Sequence, residues 1–132
     1  MNQMRTGLRP LLAATLLTTL STPLLAASPG DVQTGIASYY HDSLHGNLTA
    51  SGQVYDKNKI SAAHKRLPLG SKVRVTDTTT GRSIIVRIND RGPFVKGRII
   101  DLSHRAAQKL GIIRRGITPV KVEVLSVPGR GA

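Results

Sequence analysis

The chain has 132 residues, with 19 Lys and Arg against 7 Asp and Glu, a formal charge of +12, and no cysteine. That length fits one small domain behind a leader, and no residue is present to form a disulfide or a lipid-modified N-terminal cysteine. The charge favours anionic partners. With three Tyr, one Phe and no Trp, and no recognition helix or aromatic–basic sheet motif, nucleic acid is not expected among them.

Residues 1–27 read as a secretory signal peptide. Arg5 and Arg9 precede an apolar stretch from Leu11 to Leu20, followed by Pro23 and the small pair Ala26-Ala27. The apolar stretch is too short to span a bilayer. The remainder is expected to be exported, periplasmic or secreted, with neither a transmembrane span nor a lipid anchor. An anionic polymer of the cell envelope suits that address better than nucleic acid. Residues 28–33 read as a polar leader, and residues 127–132 as a tail.

Between them, residues 34–126 read mostly as short strands. The segment 34–40, T-G-I-A-S-Y-Y, is a first strand. Val73 and Val75 alternate with Arg74 and Thr76, then Asp77-Thr-Thr-Thr-Gly81 turns the chain into a return strand over 83–89. Ser103 is placed to cap a helix whose apolar face is Ala106, Ala107 and Leu110, with Gly111 as its stop. Val120, Val122 and Val124 alternate with Lys121 and Glu123 in a late strand. Short strands around one short helix indicate a small β-barrel.

Two stretches carry the chemistry. Residues 41–69 hold three of the four histidines and read as loops over the barrel. His41 and His45 have no H-E-x-x-H context, so no metal is expected. No G-x-S-x-G elbow supports a Ser-His-Asp hydrolase, and His64 could be a buried histidine bonded to backbone. The second stretch is 82–102, where Ile84 to Ile88 leads into Asn89-Asp90-Arg91-Gly92-Pro93, and Ile99-Ile100 leads into Asp101. Carboxylates at strand ends are where a rigid scaffold presents chemistry. The plainer reading is that Asp90 and Asp101 cap turns and pair with Arg87, Arg91 and Arg98.

The runs G-I-A-S-Y-Y (35–40), H-G-N-L-T-A-S-G (45–52), S-A-A-H-K-R-L-P-L-G (61–70), V-R-V-T-D (73–77), V-R-I-N-D-R-G-P-F (86–94) and R-I-I-D-L-S (98–103) resemble the rare lipoprotein A family of septal-ring lytic transglycosylases. The resemblance covers nearly all of residues 34–126, in order. It implies a mainly β fold, a six-stranded double-psi β-barrel with one short helix. It also implies an endolytic peptidoglycan lytic transglycosylase that cleaves bare glycan strands to 1,6-anhydro-N-acetylmuramic acid ends. No cofactor is implied, and a monomer is expected.

The family's usual T-A-S-G-E or T-A-N-G-E is T-A-S-G-Q here, ending at Gln53. Glycoside hydrolysis generally needs two carboxyl groups. A lytic transglycosylase needs no water, because the muramic acid C6 hydroxyl attacks its own anomeric carbon, so one carboxyl group can serve both proton transfers. Asp90, in the family's N-D-R-G-P, is the expected acid/base, with Asp101 second. His64 matches the family's A-A-H histidine and is expected to orient the acid or bind glycan. Gln53, Arg91, Tyr39, Tyr40, Tyr55 and Phe94 are expected to bind substrate, the aromatics by stacking on sugar. The alternative is a non-catalytic, expansin-like glycan-binding module, which Gln53 favours.

Overall fold

The computed structural model describes residues 26–129, so most of the expected signal peptide and the last residues of the tail lie outside it. Six strands form a closed barrel: β1 Val32–Tyr39, β2 Ala62–Ala63, β3 Lys72–Asp77, β4 Ser83–Asp90, β5 Arg98–Leu102 and β6 Thr118–Ser126. Their order around the barrel is β1-β5-β2-β4-β3-β6. The β1–β5 and β2–β4 pairs are parallel, and the remaining neighbours are antiparallel. This is the six-stranded double-psi barrel, mainly β with one short α-helix.

The interior follows from the alternation in the sequence. Val73 and Val75 of β3, Val86 and Ile88 of β4, and Val120 and Val122 of β6 are all buried in one cluster with Ile100 and Leu102 of β5. Each such side chain contributes roughly 1.5–3 kcal/mol on burial. The intervening residues, Lys72, Arg87 and Lys121 among them, point to solvent. β1 begins at Val32, so Val32 and Gln33, read above as leader, pair with Glu123 and Val122 of β6.

The helix, α1, spans His104–Leu110. Ser103 accepts a hydrogen bond from the Ala106 N–H, and Gly111 closes the helix in the left-handed region at φ 84°. Ala106, Ala107 and Leu110 are its buried residues. In the β3–β4 turn the Gly81 N–H donates to the Asp77 carbonyl at 2.7 Å. Asp77 itself is fully buried, and its carboxylate accepts from Arg115 at 2.5 Å, Thr118 at 2.8 Å and the Thr79 N–H at 2.9 Å. No described helix is long and apolar enough to cross a membrane.

Two register shifts decide what lies on the outside of the barrel. Ala62 pairs with Ile88, but Ala63 pairs with Asp90, leaving Asn89 as an extra residue on β4. Strict alternation from Val86 and Ile88 would turn Asp90 inward, and the bulge turns it outward instead. A matching shift lies between Ile36 and Ala37, which pair with Arg98 and Ile100 of β5. Beyond it, Ser38 pairs with Asp101 on the outer face.

Candidate functional site

β2 is short but central to the site. Ala63 pairs with Asp90 of β4 on one side and with Asp101 of β5 on the other. The two aspartates therefore sit level on one outer face, about 10 Å apart at Cα, two strand spacings. Over Ala63 lies a second, smaller apolar cluster made with Tyr40 and Tyr55. The two tyrosine rings stack at 4.4 Å between centroids.

Tyr40 joins this cluster to the acids. Its hydroxyl donates to Asp90 Oδ2 at 2.5 Å. Burial, then that hydrogen bond, then the negative charges of Asp90 and Asp101 push the Tyr40 phenol well above its ordinary pKa. It stays protonated and always has a hydrogen to offer. Tyr55 is anchored in turn, its hydroxyl accepting from the His104 N–H at the start of α1. Burial likewise raises the Tyr55 pKa.

The two carboxylates differ in how fully they are engaged. Asp90 Oδ1 accepts from the Ala50 N–H at 2.8 Å and the Arg91 N–H at 2.9 Å, while Oδ2 accepts from Tyr40. Asp101 Oδ1 accepts a very short hydrogen bond from the buried Ser38 hydroxyl, and its Oδ2 has no partner among the described residues. Neither aspartate forms an ion pair with Arg87, Arg91 or Arg98; the described ion pairs lie elsewhere.

A hairpin-like arm covers one side. Leu48 and Val54 form an isolated bridge, and the Thr49 N–H donates to the Gln53 carbonyl. Its tip docks on the end of β4: the Ser51 N–H donates to the Asn89 carbonyl, and Asn89 Nδ2 donates to Gln53 Oε1 at 3.2 Å. Between this arm and β4 lies a groove of about 560 Å3, with Gln53, Tyr55, Lys59, Arg87 and Asn89 in its walls.

The structure thus brings together Asp90, Asp101, Tyr40 and Tyr55, with Gln53 one bond removed through Asn89. The other expected residues are placed elsewhere. His64 follows Ala63 but faces away: its Nδ1 accepts from the Arg66 and Leu67 N–H groups, so its proton is on Nε2, which donates to Gln33 Oε1 at 2.8 Å. Burial, then the charges of Arg91, Lys65 and Arg66, lower its pKa to about 4. It is a neutral, buried turn-stabilising histidine. The Arg91 guanidinium donates to the His64 and Leu67 carbonyls and is used in holding the same turn. Tyr39 packs edge-on against His104 and donates to the Ile113 carbonyl. Phe94 is 80% exposed, an apolar ring free to meet a ligand. Ser38 was not anticipated; it belongs to an expected strand, but its partner Asp101 is 63 residues away. Among the described residues, no cluster of three or more His, Cys, Asp or Glu could hold a metal ion.

A closed barrel of this strand order, with two aspartates level on one outer face, defines a double-psi β-barrel domain. The family model described as lytic transglycolase matches residues 32–122. The endolytic peptidoglycan transglycosylase RlpA of Pasteurella multocida is 54% identical over 102 residues, 77% of this chain and 35% of that protein. The RlpA of Neisseria meningitidis is 55% identical over 100 residues, 76% of this chain and 41% of that protein. The chain therefore belongs to the RlpA-like lytic transglycosylase family, and spans well under half the length of these relatives. Among solved structures, the Streptomyces papain inhibitor superposes with a TM-score of 0.62 at 27% identity, covering 74% of this chain and 97% of that one. An expansin of Clavibacter michiganensis shares the fold, with a TM-score of 0.58 at 19% identity over 75% of this chain and 52% of its own.

Proposed function

We propose that this barrel is a peptidoglycan module that grips bare glycan strands across the outer face carrying Asp90, Asp101, Tyr40 and the adjoining groove, and that it works outside the cytoplasm. The observation that carries this reading is the outward carboxyl pair beside an open groove of about 560 Å3 in a chain of the RlpA-like family. Amide and carboxylate side chains offer hydrogen bonds to sugar hydroxyls, and exposed Phe94 offers a stacking face. The basic surface concentrates an anionic polymer around the protein.

A second reading, lytic transglycosylation, rests on one feature of the pair. Proton exchange with a glycosidic oxygen needs a carboxyl oxygen that is not already engaged. Asp101 Oδ2 meets that requirement, whereas Asp90 holds three donors that would have to reorganise. In this scheme Asp101 protonates the leaving oxygen, then accepts the proton of the attacking C6 hydroxyl, and Asp90 stabilises positive charge developing on the sugar. Gln53, where the family has glutamate, weighs against cleavage, since an amide exchanges no proton.

The test is incubation of the chain with amidase-stripped peptidoglycan, scoring pull-down and, by mass analysis, 1,6-anhydro ends. Binding without new anhydro ends supports the module. Anhydro ends that disappear in Asp101→Asn support cleavage with the assignment given; ends that survive Asp101→Asn but not Asp90→Asn return the acid to Asp90. A chain that neither binds nor cleaves stripped strands overturns both readings.

A further inference from the structure

The groove beside the hairpin-like arm carries a charge pattern that the aspartate pair does not use. Lys59 and Arg87 both line it, and both are exposed. Neither meets a carboxylate among the described residues, whose ion pairs are Arg74–Glu123, His104–Asp42 and Arg115–Asp77. The Arg87 side chain makes one long contact, 3.4 Å to the Gly70 carbonyl. Asp56, the one acid in the lining, turns Oδ1 to the Asn58 N–H at 2.8 Å. The groove also holds the Gln53–Asn89 amide pair, in which Asn89 donates to Gln53 Oε1. That geometry leaves the Gln53 amino group and Asn89 Oδ1 available to a ligand.

We infer that this groove is a receptor for a carboxylate-bearing sugar, held by Lys59 and Arg87, and that Gln53 keeps those cations free. The inference rests on the glycan-strand reading above. On a bare strand the acidic group is the lactyl carboxylate of each muramic residue; attachment of a stem peptide converts it to a neutral amide. A guanidinium can take a carboxylate through two parallel hydrogen bonds, and an ammonium adds a point charge. A glutamate at position 53 would put a carboxylate into the same groove, tethered to the chain. Tethering gives it an effective concentration of the order of millimolar or more, so it competes with a weak ligand for both cations. Gln53 conserves the shape and the bond from Asn89 but supplies no charge. The substitution changes a groove that neutralises itself into one that takes its counter-charge from the ligand.

The test titrates the full chain with a muramic-acid-containing tetrasaccharide bearing free lactyl carboxylates, and with the same sugar carrying lactyl methylamides. The free acid is expected to bind at least about tenfold more tightly at low salt, a ratio that shrinks as ionic strength rises. Arg87→Gln and Lys59→Met are each expected to reduce the ratio, the free acid losing more affinity than the amide. Both residues are exposed, and an unchanged circular dichroism spectrum verifies the fold of each variant. Gln53→Glu is expected to reduce the ratio as well, although no cation has been removed. Equal binding of acid and amide overturns the inference and leaves the glycan-strand reading standing, as does a ratio that survives the Arg87→Gln/Lys59→Met double variant. Failure of both sugars and of whole stripped strands to bind overturns the two together.

Discussion

Tyr40 shows how one side chain can be assigned by chemistry and reassigned by burial. In the sequence it is one of four aromatics and an obvious sugar-stacking residue. In the fold it is 8% exposed, one face covered by Tyr55, with its hydroxyl spent on Asp90. A ring so enclosed cannot stack on a sugar, but it can hold a carboxylate in place. Tyr40→Phe keeps the ring stack and removes the donor, so it should lower stability by about 1–2 kcal/mol. It should also weaken retention of stripped glycan. Phe94→Ala, at an exposed position, should leave stability within about 0.5 kcal/mol while still weakening retention. Urea unfolding midpoints and strand pull-down check both. If Tyr40→Phe is as stable as the native chain, the Tyr40–Asp90 bond does not hold the acid.

At the scale of the elements, what could be read from the sequence was whatever repeats at the period of a strand or a helix. The β3–β4 hairpin, the valine alternation of β6 and the capped α1 all follow from local pattern. β2 does not, because Ala62–Ala63 has no β-branched residue and is a strand only through its neighbours β4 and β5. The six-strand count came from family resemblance, not from periodicity. The Asn89 bulge is equally silent in the sequence, yet it places Asp90 beside Asp101 on the outer face. Thus both aspartates were legible as candidates, while their separate engagement by Tyr40 and Ser38 needed tertiary pairing. Ser103 illustrates the same limit: its helix-capping role was readable, but its hydroxyl also accepts from the Ser61 N–H at 3.1 Å, tying α1 to the entry of β2. Ser103→Ala therefore orphans two buried N–H groups and should cost about 2–3 kcal/mol, above the ~1 kcal/mol typical of a lost cap. A urea-derived loss of 1 kcal/mol or less, as an order of magnitude for an ordinary cap, would show that the link to Ser61 contributes nothing.

For the whole molecule, two buried titratable groups should make acid destabilisation occur in two adjoining windows. His64 has a pKa near 4 when folded against an ordinary value of 6.5, because burial and then the charges of Arg91, Lys65 and Arg66 disfavour its proton. Below about pH 6.5 the unfolded chain binds a proton that the folded chain refuses, so this contribution is full above that pH and lost as pH falls toward 4, up to about 3 kcal/mol. Asp77 behaves differently. Burial acts to raise its pKa, but the hydrogen bonds from Arg115, Thr118 and the Thr79 N–H outweigh it and bring the value down to about 2 from 3.8. Its contribution is present above about pH 4 and lost as pH falls toward 2. Urea midpoints measured from about pH 7.5 to about pH 2.5 should decline through both windows. His64→Asn puts Oδ1 where Nδ1 accepts from the Arg66 and Leu67 N–H groups and carries no titrating proton, so it should flatten the upper window and leave the lower one. Asp77→Asn should begin less stable, with Arg115 unpaired, and should lose the lower window. A native protein whose stability is level between about pH 6.5 and 4.5, or a His64→Asn variant that keeps the native slope there, would mean that His64 takes up its proton without loss of its place in the turn.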